Sequence, residues 1–480
     1  MSIITKANYL KHPIPSLNGN PLSEALPSPV TQEELIQRVR KQITCDGFWE
    51  LEEFYQHVVL QDIAVTHIPS ARFYSFYQKC LSLLLHSYSS RNPFSPESMS
   101  TKMALAADLH KKLQVTTLSH ANLNTSAPSV LVAGLSGAGK TTMIRNALAC
   151  IPQTIQHTEY EGKKFNQIQI VWLSIDMPST SSLKALALNF FKAVDEATGS
   201  TTYFSDWEKR NRDSVERHIV GMQSVAANHE IGLVHIDELQ FMLSYAKSAN
   251  SPSLTVLDSM FNKIGIPIIL SCTDLGLQLF ETAKFDGKRT NHELTTLRRV
   301  LKDREFQLKN YSLDSSSFND LLDALYPASL LLNCASLSES FKSEFYNLTA
   351  GLPAFMSRLA QLHHEALVYM FHKSRDVKAI STNDIKILCS IHKSQFHLFE
   401  KAIAYLISGD IRAYEKQLEN AEPIDGVSKN KEKEDVSHSQ MYQANTGNTS
   451  NVKAPIFNSV HLDDRKMLSA ETPFPSGIKE

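Results

Sequence analysis

Gly134-Leu-Ser-Gly-Ala-Gly-Lys140-Thr141, set between an apolar stretch at 130–133 and a helical run at 142–149, is where the fold is decided. Its spacing fits G-x-x-x-x-G-K-[ST], a phosphate-binding P-loop, and a strand before it and a helix after it are what that loop requires. The glycines let backbone N–H groups point inward around a β-phosphate, and the helix N-terminus adds the positive end of its dipole. Lys140 is placed to reach the β- and γ-phosphates, and Thr141 to offer a hydroxyl to Mg²⁺. The chain has only 17 glycines, yet Gly134, Gly137 and Gly139 fall within one loop, so chance explains the pattern poorly. The expected ligands are ATP and Mg²⁺, with Gly134, Ser136, Gly137, Ala138, Gly139, Lys140, Thr141 and Thr142 around the phosphates.

Downstream, Leu233-Val-His-Ile-Asp237-Glu238 reads as an apolar strand ending in two carboxylates, the Walker B arrangement. Asp237 would hold Mg²⁺, directly or through water, and Glu238 would polarise the attacking water. A second acid beside the metal ligand points to hydrolysis rather than to binding alone. Further short apolar stretches at 129–133, 168–175 and 266–271 alternate with helical segments, as in a parallel sheet with helices on its faces. Short, almost wholly apolar strands of this kind are buried on both sides. The expected fold class is α/β: a P-loop NTPase core with a parallel sheet flanked by helices, a helical N-terminal domain and a helical C-terminal lid.

The 480 residues allow two or three domains and a sizeable core. With 48 Lys plus Arg against 50 Asp plus Glu, no global charge pushes the chain toward nucleic acid, so any DNA contact needs a local patch. The six cysteines are scattered without a C-x-x-C pair and read as reduced or buried thiols. No apolar run approaches the ~20 residues that span a bilayer, and residues 1–10 lack a signal-like apolar core, so a cytoplasmic protein is expected. Along the chain, the prolines of residues 1–30 favour extended or turn backbone, an arm or a loose cap. Thr31-Gln-Glu-Glu34 forms a capping box ahead of Leu35, Val39 and Ile43, opening a helical domain over 31–120 with further helices at 49–60 and 72–87. The ATPase core is expected over 121–311 and an all-helical lid over 312–421. Residues 422–480 are polar and read as a disordered tail.

Several residues resemble the working parts of AAA+ ATPases. Cys272-Thr273-Asp274 follows the strand at 266–271, where that family places a polar sensor 1 residue, so the resemblance points to Thr273; a plain strand-end cap is the other reading. Arg298 and Arg299, in Thr295-Thr-Leu-Arg298-Arg299-Val, stand where an AAA+ subunit lends an arginine finger to its neighbour; surface ion pairs are the alternative. Gly351-Leu-Pro353 followed by Arg358 resembles the sensor 2 region, with Arg358 toward the nucleotide. More narrowly, Asn20-Pro-Leu-Ser-Glu-Ala-Leu-Pro27, Arg91-Asn-Pro-Phe-Ser-Pro96, Gln167-Ile-Gln-Ile-Val-Trp-Leu-Ser-Ile-Asp176-Met-Pro178 and Asp237-Glu-Leu-Gln240 resemble, in order and spacing over about 9–410, the TnsC/TniB ATPases of bacterial transposition. That resemblance implies an ATP-dependent homo-oligomer, ring or filament, on double-stranded target DNA. Its implied partners are a target selector of the TnsD/TniQ kind and a TnsB-like transposase, with or without a TnsA-like one, and hydrolysis would reset the assembly. Lys163, Lys164 and Lys184 are candidates to follow DNA phosphates, each with the alternative of an ordinary solvated lysine.

Two other classes compete. A STAND-like signalling switch would use the same P-loop without DNA, but no internal repeat accompanies it here. A nucleotide kinase would need several lid arginines for a second phosphate substrate, and the helical C-terminal region is poor in them.

Overall fold

The computed structural model describes residues 4–111, 129–178, 182–242, 266–277 and 305–420. Its centre is a five-stranded sheet built from β2 (Ser129–Gly134), β5 (Trp172–Asp176), β6 (Leu233–Asp237), β7 (Ile268–Cys272) and β8 (Glu305–Leu308), in the order β5-β6-β7-β2-β8. Every pairing within it is parallel. Side chains alternate across a strand, and the alternation divides the interior in two. Leu131, Ala133, Leu173, Ile175, Val234, Ile236, Ile268 and Leu270 face one core, while Val130, Val132, Leu233 and Ile269 face the other.

Helices cover both faces. On the first lie α7 (Leu183–Thr198), α8 (Thr202–Lys209) and α9 (Val215–Asn228), whose Phe190, Phe191, Trp207 and Met222 fill the core. On the second lie α1 (Pro21–Glu24), α2 (Gln32–Val39), α4 (Ala71–Ser89) and α6 (Lys140–Ala149), contributing Leu22, Leu35, Phe76, Tyr77, Leu84, Tyr88 and Ile144. The capping box at Thr31 and Glu34 is formed with both of its hydrogen bonds. Two further helices, α3 (Glu53–Leu60) and α5 (Pro96–Lys111), complete this half, and Leu105 of α5 reaches the first core. After β8 the described chain is helical: α10 (Ser316–Leu325), α11 (Glu339–Thr349), α12 (Pro353–Lys373), α13 (Ile385–Gln395), α14 (Glu400–Ile407) and α15 (Ile411–Asn420). Gln56 of α3 accepts a hydrogen bond from His372 Nε2 of α12 at 2.8 Å, joining the two halves. No helix among the described residues is long and apolar enough to cross a membrane.

Three expectations change. The apolar stretch 168–175 is two strands, since residues up to Ile170 belong to β4 (Lys163–Ile170), antiparallel to β3 (Thr154–Tyr160), whereas Trp172 onward joins β6. Val171 and Trp172 pack on the same cluster, so the alternation slips there, and apolarity alone does not reveal a slip. β1 (Ile4–Lys6) adds to β3 in parallel, completing a second, three-stranded sheet. Residues 4–30 are also not a loose arm. Leu22 and Leu26 are fully buried, Asn20 Nδ2 donates to Tyr88 O at 2.7 Å, and the buried Glu24 pairs with Lys11 at 2.8 Å. Proline reports only local backbone preference, and these partners are distant in sequence. Finally, the short edge strand β8, whose half-buried Phe306 and Leu308 pack on the second core, is absent from the strands expected from sequence.

The packing of α8 on α9 makes a signed test. The Trp207 ring stacks on Phe191 with centroids 4.7 Å apart, and a Cβ on Gly221 would lie 2.1 Å from Trp207 Cζ2. Helix propensity favours Gly221→Ala by about 1 kcal/mol, whereas overpacking costs about 1–3 kcal/mol. The clash with a rigid indole should win, so urea unfolding should show a net loss of stability; a gain would refute this packing.

Candidate nucleotide-binding site

The loop from Gly134 to Thr141 leaves the C-terminal end of β2 and enters α6, with Gly139 as the N-cap at φ +87°. It is wedged between two later elements. A Cβ at Gly134 would fall 2.1 Å from the Leu308 carbonyl oxygen of β8, so only glycine lets the edge strand approach. At Gly137 a Cβ would meet Ala354 Cβ at 3.0 Å, and Ala354 N–H at the start of α12 donates to Gly137 O at 3.2 Å. Ser136 is half-buried, Ala138 buried and Thr142 exposed. Lys140 Nζ donates to Gly134 O at 2.9 Å and Leu135 O at 3.0 Å. Burial holds its pKa below the ordinary lysine value, with Glu415, Cys272, Glu238 and Asp237 pulling the other way.

Asp237 and Thr141 meet beneath this loop: Thr141 Oγ1 donates to Asp237 Oδ2 at 2.9 Å. The other carboxylate oxygen, Oδ1, accepts from Ser271 Oγ and from the Glu238 N–H, the latter at 2.9 Å. Ser271 has one proton and gives it to the carboxylate, so its contact with His235 Nε2 at 2.8 Å must be accepted from Nε2–H. His235 Nδ1 then accepts from Ser174 Oγ, also at 2.8 Å. The network thus places a proton on Nε2, and burial, which pushes the pKa down to about 4, keeps the ring neutral, so that Nδ1 is the acceptor. Burial would raise the Asp237 carboxyl, but His235 and the donors Ser271, Thr141 and Glu238 N–H outweigh it and hold the group below its usual range. Glu238 goes the other way, raised by burial and then by Asp237. Its side chain accepts from Gln240 Nε2, and its backbone has φ +60°, a strained value for a non-glycine residue.

The hard oxygens of Thr141 and Asp237 suit Mg²⁺, which usually takes only one or two protein ligands. Thr273 stands at the end of β7, where its N–H donates to Gln240 Oε1 at 3.2 Å and its hydroxyl accepts from Gly276 N–H at 3.4 Å. The hydroxyl is therefore engaged as a cap on the following turn. Arg358 lies on α12 and donates to Gln361 Oε1 at 3.2 Å. Arg298 and Arg299 lie outside the described residues. Lys163 and Lys164 are exposed beside the β3–β4 turn, with Glu159 opposite Lys164 and Glu161 in the turn. Lys184 donates to Asn211 O at 2.7 Å.

Ser174, His235, Ser271 and the pair Tyr414 and Glu415 were not singled out from sequence. Tyr414 OH donates to Ser136 O at 2.9 Å and Ser136 N–H donates to Glu415 Oε1 at 2.9 Å. A signal for the first three existed: each is a polar residue interrupting an otherwise apolar strand. For α15 the chain offers none, because the contact spans 278 and 279 positions.

The network yields two tests. In ¹⁵N spectra of histidine-labelled protein at pH 5, His235 should remain neutral and protonated at Nε2; an imidazolium signal would refute the assignment. Because its folded pKa lies below the ordinary 6.5, the unfolded chain takes up the extra proton first. The stability this provides is complete above about pH 6.5 and is lost as pH falls toward 4, by up to about 1.4 kcal/mol per pH unit. Separately, Ser271→Ala strips an acceptor from His235 and a donor from Asp237, and should destabilise the fold by about 1–3 kcal/mol in chemical denaturation; a neutral result would mean that the network is not formed.

Residues 123–279 match the AAA domain family. No curated protein matches the sequence. Among solved structures, the chain is similar to the Walker-type ATPase PABY2304 of Pyrococcus abyssi (13% identity, 63% of this chain and 75% of that one, TM-score 0.29). It is also similar to the Drosophila ORC bound to DNA (13%, 66% and 70%, 0.25) and to C. elegans PCH-2 (14%, 69% and 75%, 0.25). With β2, the P-loop, α6 and the Asp237–Glu238 strand end all inside the matched span, residues 123–279 form a P-loop domain of the AAA ATPase family.

Proposed function

We propose that this chain is an Mg²⁺-dependent ATPase that regulates DNA transposition in the manner of the TnsC/TniB proteins. It would assemble as a homo-oligomer on duplex DNA, link a target selector to a transposase, and hydrolyse ATP to reset. The observation that carries the ATPase reading is the 2.9 Å contact of Thr141 Oγ1 with Asp237 Oδ2, directly below the P-loop and next to Glu238. In this reading the loop N–H groups and Lys140 would hold the phosphates, and Thr141 and Asp237 would hold Mg²⁺, which would supply positive charge against the transferred phosphoryl group. Glu238, with a raised pKa, positions the attacking water and takes its proton. The transposition part rests on the ordered sequence resemblance over about 9–410. Arg298 or Arg299 would complete a neighbour's site, and Lys163 and Lys164 would meet DNA phosphates.

Glu238→Gln should keep ATP binding and lower turnover by about 100-fold or more, since general base catalysis contributes about 10²–10⁴-fold. Lys140→Ala should lose ATP binding. Co-sedimentation with duplex DNA should require ATP, weaken with salt, and be stabilised by Glu238→Gln. Replacing Lys163 and Lys164 with Ala should lower the log–log salt slope by about 2, at about 0.9 per phosphate contact. ATP binding and turnover without any DNA association would overturn the transposition reading and favour a signalling switch.

A further inference from the structure

Tyr414 and Glu415 are both nearly inaccessible, at 1% and 4% exposure. A buried carboxylate is costly unless donors or a counter-charge meet it. For Glu415 these are found in the P-loop: its Oε1 accepts from Ser136 N–H at 2.9 Å, and its charge acts on Lys140. Tyr414 OH donates to the carbonyl of the same Ser136 at 2.9 Å, so adjacent side chains of α15 grip both polar groups of one loop residue. The helix is anchored for this task. It follows Gly409, its first turn is capped by Asp410 Oδ1 accepting from Ala413 N–H at 3.0 Å, and it packs against α14.

A P-loop is an anion nest, a concavity of inward N–H groups backed by a lysine. A carboxylate is an anion of the kind such a nest takes. We infer that α15 is part of the nucleotide site, with Glu415 an internal anionic ligand of the P-loop that a nucleotide's terminal phosphate must displace from the Ser136 amide. This inference rests on the nucleotide-binding reading above. Two anions cannot share that amide and the Lys140 charge without repulsion, so Glu415 lowers affinity most for the ligand with the most phosphate charge, the triphosphate. Binding of ATP then expels Glu415, and with it the hold of Tyr414, so that α15 loosens when the site fills. Glu415 is in this sense a specificity-determining residue: it sets how much of the triphosphate's binding energy is used to free the C-terminal helix.

The test is calorimetric titration of the full chain with Mg²⁺-ATP and Mg²⁺-ADP, for wild type, Glu415→Gln and Tyr414→Phe, together with hydrogen exchange of the wild type. Glu415→Gln keeps the shape and removes the charge. It should tighten Mg²⁺-ATP by about tenfold and Mg²⁺-ADP by less, as loss of one like-charge contact in a partly buried site predicts. Tyr414→Phe should tighten both modestly. In the wild type, Mg²⁺-ATP should speed exchange of the α15 amides, a readout that needs no variant to fold. If the wild type binds but Glu415→Gln binds equally or more weakly, or α15 becomes more protected with ATP, the inference is overturned and the ATPase reading stands. If neither wild type nor variants bind nucleotide, both fall together.

Discussion

The burial of the Asp237 charge at the end of β6 is the constraint around which the sheet is organised. On the face toward α6, the strands begin apolar and turn polar as they approach their C-terminal ends. Trp172 gives way to Ser174, Leu233 to His235 and Asp237, and Ile269 to Ser271. A carboxylate in such a place must find several donors or lose its charge. It finds them on three different elements: Ser271 of β7, Thr141 of α6 and its own following amide. The seam from Ser174 to Thr141 therefore does two jobs at once. It satisfies the charge, and it ties β5, β6, β7 and α6 together at the edge where ligands of parallel α/β sheets bind.

The P-loop is a junction as much as a phosphate cradle. β8 meets it at Gly134, α12 at Gly137 and α15 at Ser136, so an edge strand, the lid and the last described helix all touch one short loop. The Ala354 N–H that reaches Gly137 belongs to the first turn of α12, where backbone donors have no partner within the helix. The loop supplies that partner. The loop is thereby tied to α12 and α15 by specific hydrogen bonds as well as by packing.

How much of this could be read beforehand depends on the range of the contact. The loop, α6 and the two acids were legible because their chemistry is written in contiguous residues, as was the Thr31 capping box. The break at Val171 was not, because Ile170, Val171, Trp172 and Leu173 run on as apolar residues across it, and the polar Gln169 and Ser174 lie to either side without marking the change of sheet. The packing of Leu22 and Leu26 was hidden by prolines that look like an arm when only local preferences are weighed. His235 and Ser271 were visible as polar interruptions, but their meaning required knowing that β6 and β7 are neighbours. Tyr414 and Glu415 required the whole fold.

Asp237 and Glu238 are adjacent, yet their pKa values move apart, one lowered by donors and the other raised by burial and by its neighbour. In the proposed ATPase, that divergence would let two carboxylates in one site take different roles, a permanent anion for a metal and a group able to accept a proton. Gln240 bears on the second role. Its amide gives Nε2–H to Glu238 and accepts from the Thr273 N–H, so the acid and the end of β7 are read by one side chain. The Thr273 hydroxyl is used on Gly276, while its backbone amide is what connects to Glu238 through Gln240. In the proposed ATPase, Gln240 thereby couples the position of the β7 end to the general base, whose backbone φ of +60° is held by the surrounding contacts.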